Sequence, residues 1–269
     1  MITNLNKSYI RYGFMKYLNN AIINHNALDV VDLLINNFQE VYIFSGIIRN
    51  FFIGADENLT NDLDIVVQNN TLEPTDKIIC DLIRDYNLRV YDIECIKSSS
   101  SYSKIRIYLN PSYKLDVWDI EKSLGFNKDL PISERNAFKL PSSAFLNSQA
   151  IIFDLKKKCF IYDKNFVEFI HNRQISIIGS NPLNNSYMFK KIIKYFNIYN
   201  LSLAKNTVEW MISQSYKMSG QIINIECKKD ILKFFRYLYF EHNIKIPFID
   251  KDYRILWNNL KFQLRTPFF

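Results

Sequence analysis

Residues Val41–Val67 read VYIFSGIIRNFFIGADENLTNDLDIVV. The apolar run Val41–Phe44 predicts a short buried strand. Ser45-Gly46 interrupts this run, Ile47–Ile53 predicts a short helix, and Gly54 stands where such a helix would end. The first half of the stretch therefore predicts a strand, a tight turn and a helix.

The second half carries two aspartates at the start of a further predicted strand, in the order Asp62-Leu63-Asp64 and then Ile65–Val67. Because side chains alternate along a strand, Asp62 and Asp64 share one face and Leu63 packs on the other. Two neighbouring carboxylates repel each other, and a divalent cation such as Mg²⁺ relieves that conflict. The small turn ahead of the helix presents backbone N–H groups that suit a phosphate. Together these features predict metal-assisted phosphoryl or nucleotidyl transfer.

At these residues the chain resembles the head domain of polymerase-β-type nucleotidyltransferases. The likeness is greatest to the class II branch, the tRNA CCA-adding enzymes and bacterial poly(A) polymerases. Ser45 stands where that branch has its first Gly, and Asn50 where it has Asp. The resemblance implies an NTP such as ATP as donor and Mg²⁺ or Mn²⁺ as cofactor. It assigns catalysis and metal binding to Asp62 and Asp64, and nucleotide binding to Ser45, Gly46, Arg49 and Asn50.

The family has a third carboxylate on a neighbouring central strand. The predicted strand Tyr113–Ile120 offers Asp116, and we expect it to complete the catalytic and metal-binding set. Asp119 is the alternative, but residues three apart face opposite ways on a regular strand, so only one can join the site. The other reading of Asp119 is a strand-end or cap residue.

Composition limits the remaining possibilities. A length of 269 residues suggests about two domains, and 48% hydrophobic residues argue against a disordered chain. Four dispersed cysteines and three histidines form no zinc pattern. A net charge of +7 favours a polyanionic partner. No run is long enough to span a membrane and the N-terminus has no apolar signal core, so we expect a cytoplasmic protein without a membrane partner. The sequence leaves the oligomeric state open.

The predicted fold class is α+β. A nucleotidyltransferase head, residues 1–165 with N-terminal helices, has a small mixed or antiparallel sheet flanked by helices, and an all-α neck-like domain follows in residues 166–269. Residues 124–146 are expected to be irregular. The other predicted elements are a helix over Ile78–Tyr86 capped by Thr75, strands over Leu88–Ile93 and Lys104–Leu109, a hairpin of Ile151–Leu155 with Phe160–Asp163, and helices containing Tyr187–Asn197, Val208–Ile212, Ile231–Leu238 and residues 253–264.

The likeness weakens beyond the head. Lys190, Lys191 and Lys194 resemble a basic row on a neck helix of the family and are predicted to contact RNA. Ser143–Phe145 replaces an Arg-Arg-Asp motif that holds the nucleotide, and Asn184–Met188 replaces a Glu-Asp-x-x-Arg motif that selects the base.

Three functions remain open on the sequence. The first is NMP transfer from an NTP to an RNA 3′ end of tRNA-like kind. The second keeps this chemistry with a protein or small-molecule hydroxyl as acceptor, as in a toxin or defence enzyme. The third is a non-catalytic module that binds RNA or nucleotide.

Overall fold

The structure is a computed structural model that describes residues 4–56, 62–97, 103–123, 126, 130–179 and 185–217. The described residues up to 173, with 178–179, form one compact unit, and residues 174–177 with 185–217 form another. The first unit continues past residue 165, where the sequence predicts the boundary, because Phe166 and Phe169 of a further helix are fully buried. The predicted division into two folding domains stays a prediction.

A mixed sheet organises the first unit. Its order is β3-β4-β5-β2-β1-β6-β7, and β2 and β5 run parallel while the other neighbouring strands run antiparallel. This confirms the predicted mixed sheet. The strands are β1 Glu40–Phe44, β2 Asp62–Gln68, β3 Asp92–Lys97, β4 Ser103–Asn110, β5 Tyr113–Asp119, β6 Ile151–Asp154 and β7 Cys159–Tyr162.

Helices pack on one face of this sheet. Leu63, Ile65 and Val67 alternate along β2 towards that face and are completely or almost completely buried. The aromatic ring of Tyr113 on β5 stacks on His25 with ring centroids 3.7 Å apart. The helices of the unit are α1 Ser8–Asn24, α2 Leu28–Asn37, α3 Gly46–Ile53, α4 Thr75–Asp85 and α5 Lys164–Asn172.

The opposite face of the sheet is partly covered by the described residues among 120–146. Those within the predicted irregular segment 124–146 form no long helix or strand, and short 3-10 turns lie at Ile120–Lys122, Ile132–Glu134 and Pro141–Ser143. These residues supply apolar side chains that pack on the middle of the sheet. The buried members of this cluster are Tyr42, Val66, Ile120, Phe126, Ala137, Leu140 and Ile152.

The described part of the second unit contains two helices, α6 Asn185–Tyr199 and α7 Lys205–Lys217. It also contains a two-residue parallel pairing of β8, Gln174–Ile175, with β9, Ser202–Leu203. This part is therefore not purely helical, in contrast to the predicted all-α neck. A strand of two residues is too short to show an alternating hydrophobic pattern, so the sequence could not predict this pairing.

Most predicted elements near the sheet are confirmed to within one or two residues. The strand predicted over Leu88–Ile93 is displaced, because β3 runs over Asp92–Lys97 and overlaps the predicted range only at Asp92 and Ile93. Thr75 is the first residue of α4 and not its cap, and its hydroxyl donates to Asp119 Oδ2 at 3.0 Å. The helices predicted over Ile231–Leu238 and residues 253–264 lie outside the described residues. No helix in the described part of the chain combines the length and apolar character needed to cross a membrane.

Candidate active site

Three segments of the sheet bring the predicted site together at one edge. β1 and β2 are antiparallel with Ile43 opposite Ile65, so the end of β1 lies beside the start of β2. β5 runs parallel to β2 with Asp116 opposite Asp64. The Ser45-Gly46 turn, which directly follows β1, therefore lies at the same edge as the aspartates.

Asp62 and Asp64 project from the sheet face opposite to the helices. Leu63 between them is 1% exposed, whereas Asp62 is exposed and Asp64 is half-buried. The alternation expected from the sequence is therefore present, because β2 is a regular strand from Asp62 onward. Both carboxylates are placed where a ligand can approach from solvent.

The turn after β1 has an unusual backbone. Ser45 has φ +28° and ψ −57°, in a region that residues with a side chain seldom adopt. Its N–H donates to the carbonyl of Ile151 at 3.2 Å, which ties the turn to β6. A Cβ added to Gly46 would meet no atom within 4 Å, so the start of α3 borders open space. Gly54 ends the helix at φ +72°, as predicted.

Arg49 and Asn50 occupy the first turns of α3 and are both buried, with 4% and 0% exposure. Arg49 donates from Nε and Nη2 to Asn50 Oδ1 at 3.2 and 2.8 Å. Asn50 Nδ2 is buried and has no hydrogen-bond partner among the described residues. The amide thus orients the guanidinium through its oxygen while its own donor stays unsatisfied, which is costly unless something else binds there.

Asp116 is 4% exposed and forms ion pairs with two cations of β4. Arg106 donates from Nε to Oδ1 at 2.7 Å and from Nη2 to Oδ2 at 3.1 Å, and Lys104 Nζ lies 2.5 Å from Oδ2. Burial by itself raises the pKa of Asp116, but its hydrogen bonds to Arg106 and Lys104 outweigh burial and hold that pKa below the ordinary value. Asp116 is therefore a buried carboxylate with both oxygens engaged.

Asp119 lies on the helix-covered face, three residues further along β5. Its Oδ1 accepts from the backbone N–H of Glu121 at 3.0 Å and its Oδ2 accepts from the Thr75 hydroxyl. Burial raises the pKa of this carboxyl group. These contacts are those of a cap at the end of a strand, and the residue faces away from Asp64.

The carboxylates at this site fit a magnesium ion held by two protein carboxylates better than one held by three. Within the described residues, no three His, Cys, Asp or Glu side chains come close enough to hold a metal ion. The assignment of Asp116 as third metal ligand does not fit this arrangement, because Lys104 and Arg106 already occupy its oxygens. Mg²⁺ is commonly bound by one or two carboxylates together with substrate phosphates and water. Asp62 and Asp64 would supply such a pair.

The predicted RNA-binding row lies on α6 in the second unit. Lys190 and Lys194 are exposed, and Lys191 is half-buried. The ammonium of Lys191 lies 5.5 Å from the ring centroid of Tyr187 and 5.8 Å from that of Tyr195. Two of the three lysines thus present their charge outward, while the third packs between aromatic rings.

The two stretches that stand in place of the family motifs differ in burial, because Ala144 and Phe145 are packed whereas residues 185–188 are exposed or half-buried. Ala144 and Phe145 are buried, and the Phe145 carbonyl accepts from the backbone N–H of Ile178 at 2.9 Å. A Cβ on Gly179 would approach the Ala144 carbonyl oxygen to 2.9 Å, so backbone lies directly against backbone here. Asn184 is outside the described residues, and residues 185–188 form the first turn of α6. No charged side chain replaces either motif at these described positions.

Lys104 and Arg106 are site residues that the sequence argument missed. Both alternate with the apolar Ile105 and Ile107 along β4, so their shared face was visible in the pattern. Their pairing with Asp116 was not, because it depends on the register of β4 against β5, in which Arg106 lies opposite Asp116.

Solved structures with a similar fold are known. No protein-family profile and no curated protein sequence matches the chain. A CCA-adding enzyme in complex with ATP superposes with a TM-score of 0.54 at 13% identity over 84% of this chain and 55% of the enzyme. A complex of a CCA-adding enzyme with CTP gives 0.52 at 14% identity over 83% and 54%. The chain has the nucleotidyltransferase fold.

A third structure supports the same fold. The Thermotoga maritima CCA-adding enzyme, solved with tRNA, gives a TM-score of 0.51 at 14% identity over 74% of this chain and 46% of that enzyme. The chain spans about half the length of each of these nucleotidyltransferase structures. The predicted resemblance is confirmed at the level of the fold, and activity and substrates are taken up as proposals below.

Proposed function

We propose that the protein is a metal-dependent nucleotidyltransferase that moves NMP from an NTP to an acceptor hydroxyl. One observation carries the proposal. Asp62 and Asp64 share the open face of β2 at the sheet edge where the Ser45-Gly46 turn begins α3. A pair of carboxylates beside a helix start is the equipment for holding a metal-bound triphosphate.

In the proposed site the carboxylates bind the metal, and the N–H groups and the guanidinium bind the phosphates. Asp62 and Asp64 hold Mg²⁺ or Mn²⁺, which when bound neutralises phosphate charge and lowers the pKa of an acceptor hydroxyl. The Ser45 N–H is bonded to the Ile151 carbonyl, so the Gly46 N–H at the open side of the turn is the backbone donor for a phosphate oxygen. Arg49, oriented by Asn50, adds a fixed guanidinium to the same helix. The acceptor hydroxyl loses its proton to water and attacks the α-phosphorus, the bond from the α-phosphorus to the bridging oxygen breaks, and pyrophosphate leaves with that electron pair.

The acceptor we propose is an RNA 3′ end of tRNA-like kind. Support comes from the fold shared with CCA-adding enzymes, from the net charge of +7 and from the exposed Lys190 and Lys194 on α6. A protein or small-molecule hydroxyl is the second candidate. The observation in its favour is that Ala144 and Phe145 are packed against backbone, where the tRNA-processing family carries charged nucleotide-binding residues.

Incubation of the full chain with each α-³²P-labelled NTP, Mg²⁺ and total RNA tests these alternatives. The double variant Asp62→Asn/Asp64→Asn serves as the inactive control, and Asp81→Asn serves as a matched control because Asp81 is paired with Arg84 on the surface of α4. Label in RNA supports the first candidate, and label in protein or a small product supports the second. Absence of label from every fraction contradicts an enzymatic role and leaves a binding module.

A further inference from the structure

We infer that Asp116 is a positioning residue that holds Lys104 and Arg106 beside the metal site, where these two cations bind phosphate groups of the substrate. The inference rests on the proposed function and assigns Asp116 a role other than metal ligand. It adds two phosphate-binding residues on β4 to those on α3.

Register places these groups in one row across the sheet. Arg106 lies opposite Asp116 on β4 and β5, and Asp116 lies opposite Asp64 on β5 and β2. Register partners project from the same face, and neighbouring strands are about 4.8 Å apart. The strand β4, which carries the cations, therefore lies about 10 Å from the strand β2, which carries Asp64. That separation matches a metal-bound triphosphate reaching from Asp64 towards β4.

The coordination of Asp116 argues against a metal at this carboxylate. Oδ1 accepts from Arg106, and Oδ2 accepts from both Arg106 and Lys104. A divalent cation at either oxygen would have to displace one of these donors and would then lie beside two positive charges. Asp62 and Asp64, one strand away, form a separate pair of carboxylates on the same face of the sheet.

Both cations keep donors for a ligand. An ammonium carries three N–H groups and a guanidinium five; the bonds to Asp116 use one and two of them, and Arg106 also bonds the Tyr108 side chain. Glu94 lies 3.6 Å from Arg106 Nη1 on the side away from Asp64. The side chains of Lys104 and Arg106 are 17% and 20% exposed, so their heads are held in place and still reach solvent.

A stabilising role alone does not account for this arrangement. Buried ion pairs contribute little net stability, because desolvation offsets the attraction. One carboxylate would in any case be satisfied by one cation, yet Asp116 holds two. Glu94 also lies 3.6 Å from Arg106 Nη1, but its side chain is 50% exposed, so Lys104 and Arg106 still present positive charge to a phosphate beside the metal.

The test separates metal binding from phosphate binding in the full chain. Mn²⁺ alone is titrated and followed by electron paramagnetic resonance, and inorganic tripolyphosphate and a single-stranded RNA are titrated in the presence of Mg²⁺. The variants are Asp116→Asn, Lys104→Gln and Arg106→Gln, with Asp64→Asn as the metal-ligand reference. Lys77→Gln is the matched control, because Lys77 forms a surface pair with Glu73 at 2.8 Å.

We expect Asp116→Asn to keep Mn²⁺ affinity within about twofold, while Asp64→Asn loses about tenfold or more. Lys104→Gln, Arg106→Gln and Asp116→Asn should each weaken tripolyphosphate binding by about tenfold, and Lys77→Gln should not. Arg106→Lys should recover part of that loss. In assays of transfer, Lys104→Gln should raise KM for the NTP more than it lowers kcat. Weakened RNA binding with unchanged tripolyphosphate binding would instead assign the two cations to phosphates of the acceptor.

Two results overturn the inference. One is loss of Mn²⁺ binding in Asp116→Asn as large as in Asp64→Asn. The other is unchanged binding of both phosphate probes in Lys104→Gln and Arg106→Gln. If Asp116→Asn does not fold, the tripolyphosphate and RNA titrations of Lys104→Gln and Arg106→Gln decide the inference.

The same data separate the two proposals. A wild-type chain that binds Mn²⁺ and tripolyphosphate as expected but transfers no nucleotide contradicts the proposed function and leaves the role of Asp116 standing. A wild-type chain that binds neither probe overturns both.

Discussion

Asp64 and Asp116 are register partners on the parallel strands β2 and β5, yet their surroundings differ. Asp64 is half-buried at the open edge of the sheet, whereas Asp116 is almost completely buried and paired with Arg106 and Lys104. Two identical side chains, one strand apart, thus have different burial, and the cations of β4 pair with Asp116. The predictions below follow from this difference and from the turn next to it.

Asp62→Asn and Asp64→Asn should each abolish most nucleotide transfer and leave the fold intact. Each substitution keeps the size of the side chain and removes the charge that holds the metal. Loss of several kcal/mol of transition-state stabilisation corresponds to a fall of at least about a hundredfold in kcat/KM. Labelled-NTP transfer measures the loss, with Asp81→Asn as the control. Unchanged activity in Asp64→Asn would contradict the site.

The free energy of unfolding should depend on pH through the ionisation of Asp116. Its pKa in the folded state is below the value of about 3.9 for an unfolded chain, so its contribution to stability is present above that value. The contribution is lost as the pH falls through the lower, folded-state pKa. Urea unfolding between about pH 5 and pH 3 should therefore show a steeper loss of stability in the wild type than in Asp116→Asn. Glu94, beside Arg106, is common to both proteins; equal slopes would refute the prediction.

Asn50→Asp should stabilise the protein by about 1 kcal/mol. The buried Nδ2 without a partner among the described residues is replaced by an oxygen, and Arg49 gains a charged acceptor. Chemical denaturation measures the effect. Asn50→Leu removes the acceptor of Arg49 and should destabilise by about 1–3 kcal/mol. If the aspartate variant proved the weaker of the two, this account of the amide would be wrong.

Ser45→Gly should be tolerated and Ser45→Val should not. The φ of +28° at Ser45 favours a residue without Cβ, and a β-branched side chain adds to the strain. We expect a cost of about 1–3 kcal/mol for valine and little change for glycine. Thermal unfolding of both variants tests this. Equal stability would mean that the turn is not strained.

The affinity for RNA should fall with salt concentration, in part because lysines of α6 contact RNA phosphates. Lys190 and Lys194 are exposed on one helix, and each lysine that contacts a phosphate of single-stranded RNA adds about 0.7 to the steepness of log K against log salt. Lys190→Gln/Lys194→Gln should therefore reduce the slope by about 1.4. Fluorescence anisotropy with a labelled RNA measures it, and Lys205→Gln on α7 is the control. A slope that does not change excludes these lysines as the RNA contact.

Local patterns predicted the strand–turn–helix segment and the facing of Asp62 and Asp64, because both depend on alternation within a few residues. The same patterns failed at Leu88–Ile93, where no face is consistently buried, so the hydrophobic period is weak. The pairing of Lys104 and Arg106 with Asp116 was beyond a single sequence. It depends on the antiparallel register of β4 and β5, which cannot be read from the sequence of either strand alone.

The parallel pairing of β2 with β5 joins two sets of antiparallel strands, β3-β4-β5 on one side and β2-β1-β6-β7 on the other. The acidic half of the site belongs to the second set, and the basic half to the first. The two halves meet along one seam of backbone hydrogen bonds. A shear along that seam would change the spacing between these charged groups directly, so the register of β2 against β5 fixes that spacing.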